Sequence, residues 1–144
     1  MKTVADILKA KNHHHVHTVA PNATVLEAIS LMAEQGIGAL VVIENEQVVG
    51  IVSERDYARK VALMERSSYN TLVSEIMSSE VKTVQPSQSN EFCMTLMTEN
   101  RLRHLPVLDH GKLIGLISIG DLVKDIISDQ QSMIRQLEQY IRGE

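Results

Sequence analysis

The sequence predicts an α/β (α+β) chain built from one strand–helix–strand–strand–helix unit used twice. Three observations carry this reading. Displaced by 65 residues, the chain overlays itself without a gap: Val16-x-Thr18-Val19-x-Pro21 falls on Val81-x-Thr83-Val84-x-Pro86, and Leu31-Met32-x-Glu34 on Leu96-Met97-x-Glu99. The overlay continues through Leu40-x-Val42 and Leu105-x-Val107. It ends with Gly50-Ile51-Val52-Ser53-Glu54-Arg55-Asp56 over Gly115-Leu116-Ile117-Ser118-Ile119-Gly120-Asp121. Within each copy, strand-type apolar runs and helix-spaced apolar residues alternate in the same order. A repeated unit of this size cannot bury its apolar face alone, so the copies are expected to pack together. Two related clefts, lined by the repeated Gly, Ser and Asp, would lie between them.

The elements follow in order. A short strand-like piece comes first, Val16 to Val19 and its counterpart Val81 to Val84. After a Pro and a polar turn, Thr24 with Glu27 three residues later has the pattern of a capping box. Val25, Ala28, Ile29, Leu31 and Met32 then share one helical face. The second copy starts its helix at Ser89 and continues with Phe92, Cys93, Leu96 and Met97. The apolar run Ile37 to Ile43, matched by Leu102 to Leu108, is suited to a strand buried on both faces. Glu44-Asn45-Glu46 and Asp109-His110-Gly111 have hairpin-turn composition and lead to second strands, Val48 to Val52 and Leu113 to Ile117. Ser53 and Ser118 then stand where helix N-caps belong.

Outside this register, Thr3 to Leu8 resembles Leu72 to Met77 at an offset of 69, so the first copy carries four extra residues, in the stretch holding His13-His14-His15. The expected organisation is an N-terminal helix and His-rich loop (1–15), repeat one (16–66), a linker (67–80), repeat two (81–127) and a C-terminal amphipathic helix (128–144). In that helix Met133, Ile134, Leu137 and Ile141 keep helical spacing, for packing on its own body or on a second chain. The aliphatic helices around Leu31-Met32 and Leu96-Met97 are candidate dimer surfaces.

Composition narrows the function classes. The chain has 144 residues, 44% of them apolar, with one Phe, three Tyr and no Trp, so it makes one aliphatic core region rather than two independent domains. A net charge of −4 argues against a general binder of nucleic acid or anionic membrane. The single Cys93 excludes an internal disulfide and is expected as core filler. No secretory signal or long apolar span is present, and a cytoplasmic protein is expected.

The Gly-h-h-Ser-x-x-Asp exit, present twice, is the sharpest chemical signal. The Gly permits close backbone approach at the strand end. The Ser hydroxyl and free N–H groups of a helix start can hold a phosphate or sugar oxygen. The Asp, one turn on, can accept hydrogen bonds from vicinal hydroxyls. The same residues also make an ordinary N-cap with a first-turn acid.

Together with the His/Lys-Thr-Val-x-Pro entries and Leu105-Pro106-Val107-Leu108-Asp109, these exits make the chain resemble a tandem pair of cystathionine-β-synthase (CBS) domains over residues 3 to about 127. The resemblance implies two β-α-β-β-α repeats related by a pseudo-two-fold axis and a stand-alone module that forms a homodimer. It also implies adenosine-containing ligands in the clefts: AMP first, otherwise ADP, ATP, NAD(H) or S-adenosylmethionine. Carried over residue by residue, Asp56 and Asp121 would hold ribose, and Ser53 and Ser118 ribose or phosphate. Thr18 and Thr83, with Ile37-Gly38-Ala39 and Leu102-Arg103-His104, would frame the adenine. Arg55 would reach a phosphate. The second copy departs from this, because Ile119-Gly120 replaces Glu54-Arg55, so the clefts are expected to be unequal. Arg103 and His104 stand opposite Gly38 and Ala39 in the overlay, cations against space.

His15 and His17 would share a face of a strand, but no matching ligand set appears, and a polar loop rather than a metal site is expected. There is no Gly-x-Ser-x-Gly, P-loop, His-Glu-x-x-His or Gly-x-Gly-x-x-Gly after a strand, so the expectation is a regulatory module without catalysis, read by a partner protein. The rival readings are an NAD(H)-specific redox sensor and a scaffold with empty clefts.

Overall fold

The computed structural model describes residues 2–11 and 16–143. Helix α1 (Val4–Ala10) precedes strand β1 (Thr18–Val19), helix α2 (Val25–Gln35) and the hairpin β2 (Ala39–Glu44) and β3 (Gln47–Ser53). Helix α3 (Glu54–Tyr57) runs into a π-helical turn, Ala58–Ala62. After α4 (Val73–Ile76) come α5 (Asn90–Asn100), the hairpin β4 (His104–Asp109) and β5 (Lys112–Ser118), and the long α6 (Ile119–Arg142).

The caps predicted from sequence form. Thr24 and Glu27 make a reciprocal capping box at α2, Ser53 and Asp56 another at α3, and Ser118 and Asp121 a third at α6. The Ser89 side chain caps α5 by accepting from the Phe92 N–H. In the first unit β1 pairs parallel to β2 (Thr18 beside Val41), and β2 pairs antiparallel to β3 from Ala39–Ser53 to Glu44–Gln47. The second hairpin repeats this register from His104–Ser118 to Asp109–Lys112, and both carry a bulge at the equivalent place, after Val42 and after Val107. The strand expected at Val81 to Val84 shrinks to a single parallel bridge, Val84 with Val107.

Two aliphatic cores result. One joins Val25, Ala28 and Met32 of α2 to Leu40, Val42 and Val52 of the hairpin. The other joins Cys93 and Met97 of α5 to Leu105, Val107 and Ile117. The two short helices complete these cores in an exchanged manner. Helix α4, just after the first repeat, adds Val73 and Ile76 to the first core, whereas α1, at the start of the chain, adds Val4 and Ile7 to the second. Their backbone ties are equivalent: the N–H groups of Val73 and Ser74 donate to Ala23 O and Pro21 O, those of Val4 and Ala5 to Gln88 O and Pro86 O. Each helix ends against the glycine of the facing strand. A Cβ on Gly50 would lie 2.5 Å from Met77 Sδ, and one on Gly115 2.7 Å from Leu8 Cδ2. This reciprocal arrangement is the pseudo-two-fold relation of the two units.

The helix leaving repeat two and the C-terminal amphipathic helix are one continuous helix, because nothing between Ser118 and Gly143 breaks it. Met32 and Met97 are fully buried and fill the two cores, while Leu31 and Leu96 on the same helices are only partly buried. The root of α6 is fixed by polar contacts. Asn90 Nδ2 donates to Asp125 Oδ2 at 2.6 Å and to Leu122 O at 3.2 Å, and Lys2 Nζ lies 3.1 Å from Asp125 Oδ1.

Candidate functional site

Both hairpins end at the centre of the molecule, where a backbone bond ties strand to helix start. The Glu54 N–H donates to Gly38 O at 3.0 Å, and the Ile119 N–H to Arg103 O at 2.9 Å. These ties set Gly38 and Ala39 beside the first Ser-x-x-Asp, and Arg103 and His104 beside the second. His104 also reaches toward the first repeat, since a Cβ on Gly38 would lie 4.0 Å from its Cε1.

A cleft of about 430 Å³ opens between the repeats. The first repeat lines it with Gly38, Ala39, Ser53, Arg55, Asp56 and Arg59, and the second with Arg101, Leu102, Arg103 and His104. Ile51, Glu54 and Ser78 complete the lining. The volume lies within the range of small-ligand sites. Four guanidiniums against two carboxylates make it locally cationic in an acidic protein, and Arg can bind phosphate oxygens bidentately.

Within the cleft, Asp56 Oδ2 accepts from the Ser53 N–H (2.9 Å) and Oγ–H (3.1 Å). Its Oδ1 lies 3.3 Å from Lys60 Nζ, and Lys60 also donates to Ile76 O at 2.8 Å. The capping box and the proximity to the cleft therefore coexist in one residue. At the second exit, Asp121 Oδ2 accepts from the Ser118 N–H (2.9 Å) and from Lys11 Nζ (2.8 Å), and Lys11 is held by a second bond to Leu116 O at 2.8 Å. Burial pushes the Asp121 carboxyl up, but the bonds from Lys11 and Ser118 together outweigh it and hold the group below the usual carboxylate range. His104 is pushed down by burial; Asp121 opposes that shift, and Lys11 and Arg103 add to it. Its imidazole is therefore neutral at pH 7.

The structure brings together Gly38, Ala39, Ser53, Arg55, Asp56, Leu102, Arg103 and His104. Thr18, Ile37, Thr83, Ser118, Gly120 and Asp121 are not among the lining residues. Ile37 packs against the first core. Thr83 lines a separate surface hollow with Pro86 and the hairpin tip at His110. Asp121 faces a hollow of about 410 Å³ between α1 and α6, together with Lys2, Lys11 and Asp125. Arg101 belongs to the basic cluster Arg101-Leu102-Arg103-His104 that stands against Gly36 to Ala39 in the overlay, whereas Arg59 and Ser78 lie outside every sequence motif of the site. The i,i+4 spacing of Arg55 and Arg59 was the available signal for the first, and Ser78 enters only through its bridge to Ile51. The His13 to His15 stretch lies outside the described residues. Among those described, no group of three or more His, Cys, Asp or Glu is placed to hold a metal, and no helix is long and apolar enough to cross a membrane.

A duplicated β-α-β-β-α unit, paired about a central cleft with Ser-x-x-Asp at both exits, is the fold of one family, and the profile described as "CBS domain" matches residues 4–63 and 73–128. The chain belongs to the CBS domain family. It is a tandem CBS pair, and the family is non-catalytic. A CBS-domain protein of Burkholderia ambifaria MC40-6, assigned to signal transduction, is 62% identical, with a TM-score of 0.86 over 90% of this chain and 96% of that one. The mitochondrial CBS domain-containing protein CBSX3 of Arabidopsis thaliana is 37% identical over 98% of this chain and 72% of its own length. The structure of CBSX2 in complex with AMP is 27% identical, with a TM-score of 0.73 over 89% of this chain and 98% of that one.

Proposed function

We propose that this CBS pair senses an adenine nucleotide in the central cleft and relays its occupancy to a partner protein, itself acting as a homodimer in the cytoplasm. AMP is the first candidate, with ADP, ATP and NAD(H) in the same class. The observation that carries the reading is a single cleft that sets the Ser53–Asp56 pair beside guanidiniums from both repeats. The first repeat offers Ser53 and Asp56 for a ribose with Arg55 and Arg59 for phosphate, and the second adds Arg101, Arg103 and His104. The AMP held by CBSX2 supports the same ligand class. Binding would fix the two repeats in one arrangement and shift the population toward it.

The experiment is thermal stability of the purified chain with AMP, ADP, ATP, NAD⁺, NADH and S-adenosylmethionine. A ligand at ~100 times its dissociation constant adds roughly 2.7 kcal/mol, a rise of roughly 5–10 °C for a chain of this size. Asp56→Ala is expected to abolish that rise, with a ligand-free melting temperature lowered by a few degrees, since Asp56 also closes the capping box of α3. An unchanged response in Asp56→Ala would remove the ribose role. A flat panel would make the module a scaffold. The second reading, an NAD(H) sensor, is favoured by His104, which lines the cleft and feels the charge of Asp121 at the second exit, so that a dinucleotide would reach from one exit toward the other. Competition of NADH against AMP separates the two.

A further inference from the structure

We infer that the exposed face of α6 from Val123 to Ile141 is the surface on which a second copy of this chain docks, helix against helix and antiparallel. The inference goes beyond the nucleotide reading and does not depend on it. Among the described residues, the ties of α6 to its own body lie at its root, through Asp121, Leu122, Asp125 and the Lys2–Asp129 pair at 3.7 Å. Every residue from Ile127 to Gly143 is exposed. Solvated helices are normally polar on all sides, but this one carries Ile127 (48% exposed), Ile134 (54%), Leu137 (55%) and Ile141 (82%) in the open. A contiguous apolar face of that kind marks an interaction site.

The spacing identifies the occupant. Val123, Ile127, Gln130, Ile134, Leu137 and Ile141 follow one another at intervals of four, three, four, three and four. That is the 3.5-residue seam by which a helix packs on a like helix, with Ile at one core position and Leu at the other. From Val123 to Ile141 the seam is about 27 Å long.

Charge sets the direction. Antiparallel, one register places Ile127 against Leu137 of the second copy and Val123 against its Ile141. The same register puts Lys124 beside Glu138 of the second copy, twice by symmetry, on one flank. On the other flank Met133 meets its own counterpart on the two-fold axis. A parallel pair would instead set Ile126 against Gln131 and Met133 against Glu138, apolar against polar, with no charge pair. Gln130 is the polar interruption of the seam and weakens it locally.

The test is sedimentation equilibrium of the full chain without nucleotide. A reversible dimer is expected. Ile134→Glu alters a residue exposed on the single chain, so far-ultraviolet dichroism should stay put and any fall in melting temperature should vanish on dilution to monomer, while the dimer dissociation constant rises about 30-fold or more, the scale of a lost interface anchor. A wild-type monomer, or a dimer that Ile134→Glu leaves intact, overturns the proposal. Direction is read by oxidation of single-cysteine variants, Cys93 being buried. Met133→Cys is expected to cross-link and Ile134→Cys to stay unlinked, and the reverse result overturns the antiparallel arrangement. Lys124→Glu should weaken the dimer and Lys124→Glu with Glu138→Lys should restore it. Failure of that rescue counts against the register.

Discussion

Arg101 sits at φ 55, in the left-handed region that terminates α5, where the equivalent position after α2 is Gly36 at φ 64. A non-glycine residue there costs on the order of 1 kcal/mol, and the strained side chain is one of the cations lining the cleft. Arg101→Gly is therefore expected to stabilise the fold by about 1 kcal/mol while weakening nucleotide binding, read by melting with and without ligand. Asp121 gives a second prediction. Its folded carboxyl is held below its unfolded value by Lys11 and Ser118 against the opposing effect of burial. Its contribution is then present above about pH 4 and disappears as pH falls through the lower, folded value. Lys11→Met should shift the acid edge of the melting-temperature profile to higher pH, and an unmoved edge would deny the pairing. At this scale Ser53, Asp56 and Arg103 were legible because they repeat or stand against a repeat. Arg59 was not, because an exposed arginine near a helix end reads as a solvated charge until the fold supplies its neighbours.

The hairpins show how one element is built from two different sequences. Both turns need two left-handed residues, supplied by Asn45 and Glu46 (φ 52 and 64) in one copy and His110 and Gly111 (φ 51 and 80) in the other. Only the second has glycine at the last position. Glu46→Gly should stabilise the first hairpin by about 0.5–1 kcal/mol and Gly111→Glu should cost about as much or more, measured by denaturant midpoint at constant slope. Capping residues made α2, α5 and the exits readable from sequence, since Thr24, Ser89, Ser53 and Ser118 act locally. The first strand of the second copy was not readable. Val81 to Val84 has strand composition, but only Val84 meets a partner, and pairing is a property of the partner. The continuity of α6 through residue 128 was not readable for a related reason. The pattern marks where a helix buries its face, and α6 continues after it has stopped burying anything.

At the scale of the whole molecule, the exchanged helices bind the repeats into one cooperative unit. Ile7, 4% exposed, enters with Val4 a core otherwise made by residues 84–122, with Leu8 of the same helix packed against it. Ile7→Ala should cost about 2–5 kcal/mol, and calorimetry should show both repeats melting together in one transition whose calorimetric and van't Hoff enthalpies agree. A separate early transition for one repeat would mean that the exchange does not couple them. The duplication itself was plain in the sequence, and so were the two copies' mutual need for burial. Which upstream helix serves which core was not. Thr3 to Leu8 and Leu72 to Met77 look alike, and one-dimensional order places each next to the repeat that follows it. Helix α4 in fact turns back to the repeat behind it, and α1 skips the one ahead.

That skip has a consequence for how the chain comes off the ribosome. Residues 16–77 contain everything the first core requires and can close as soon as they emerge. Helix α1, made before any of them, has no seat until Leu122 has been added. At typical rates of synthesis it waits about 6–23 s with Val4 and Ile7 uncovered. A chain that stops before residue 122 keeps that helix uncovered, which makes an unfinished molecule chemically distinguishable from a finished one.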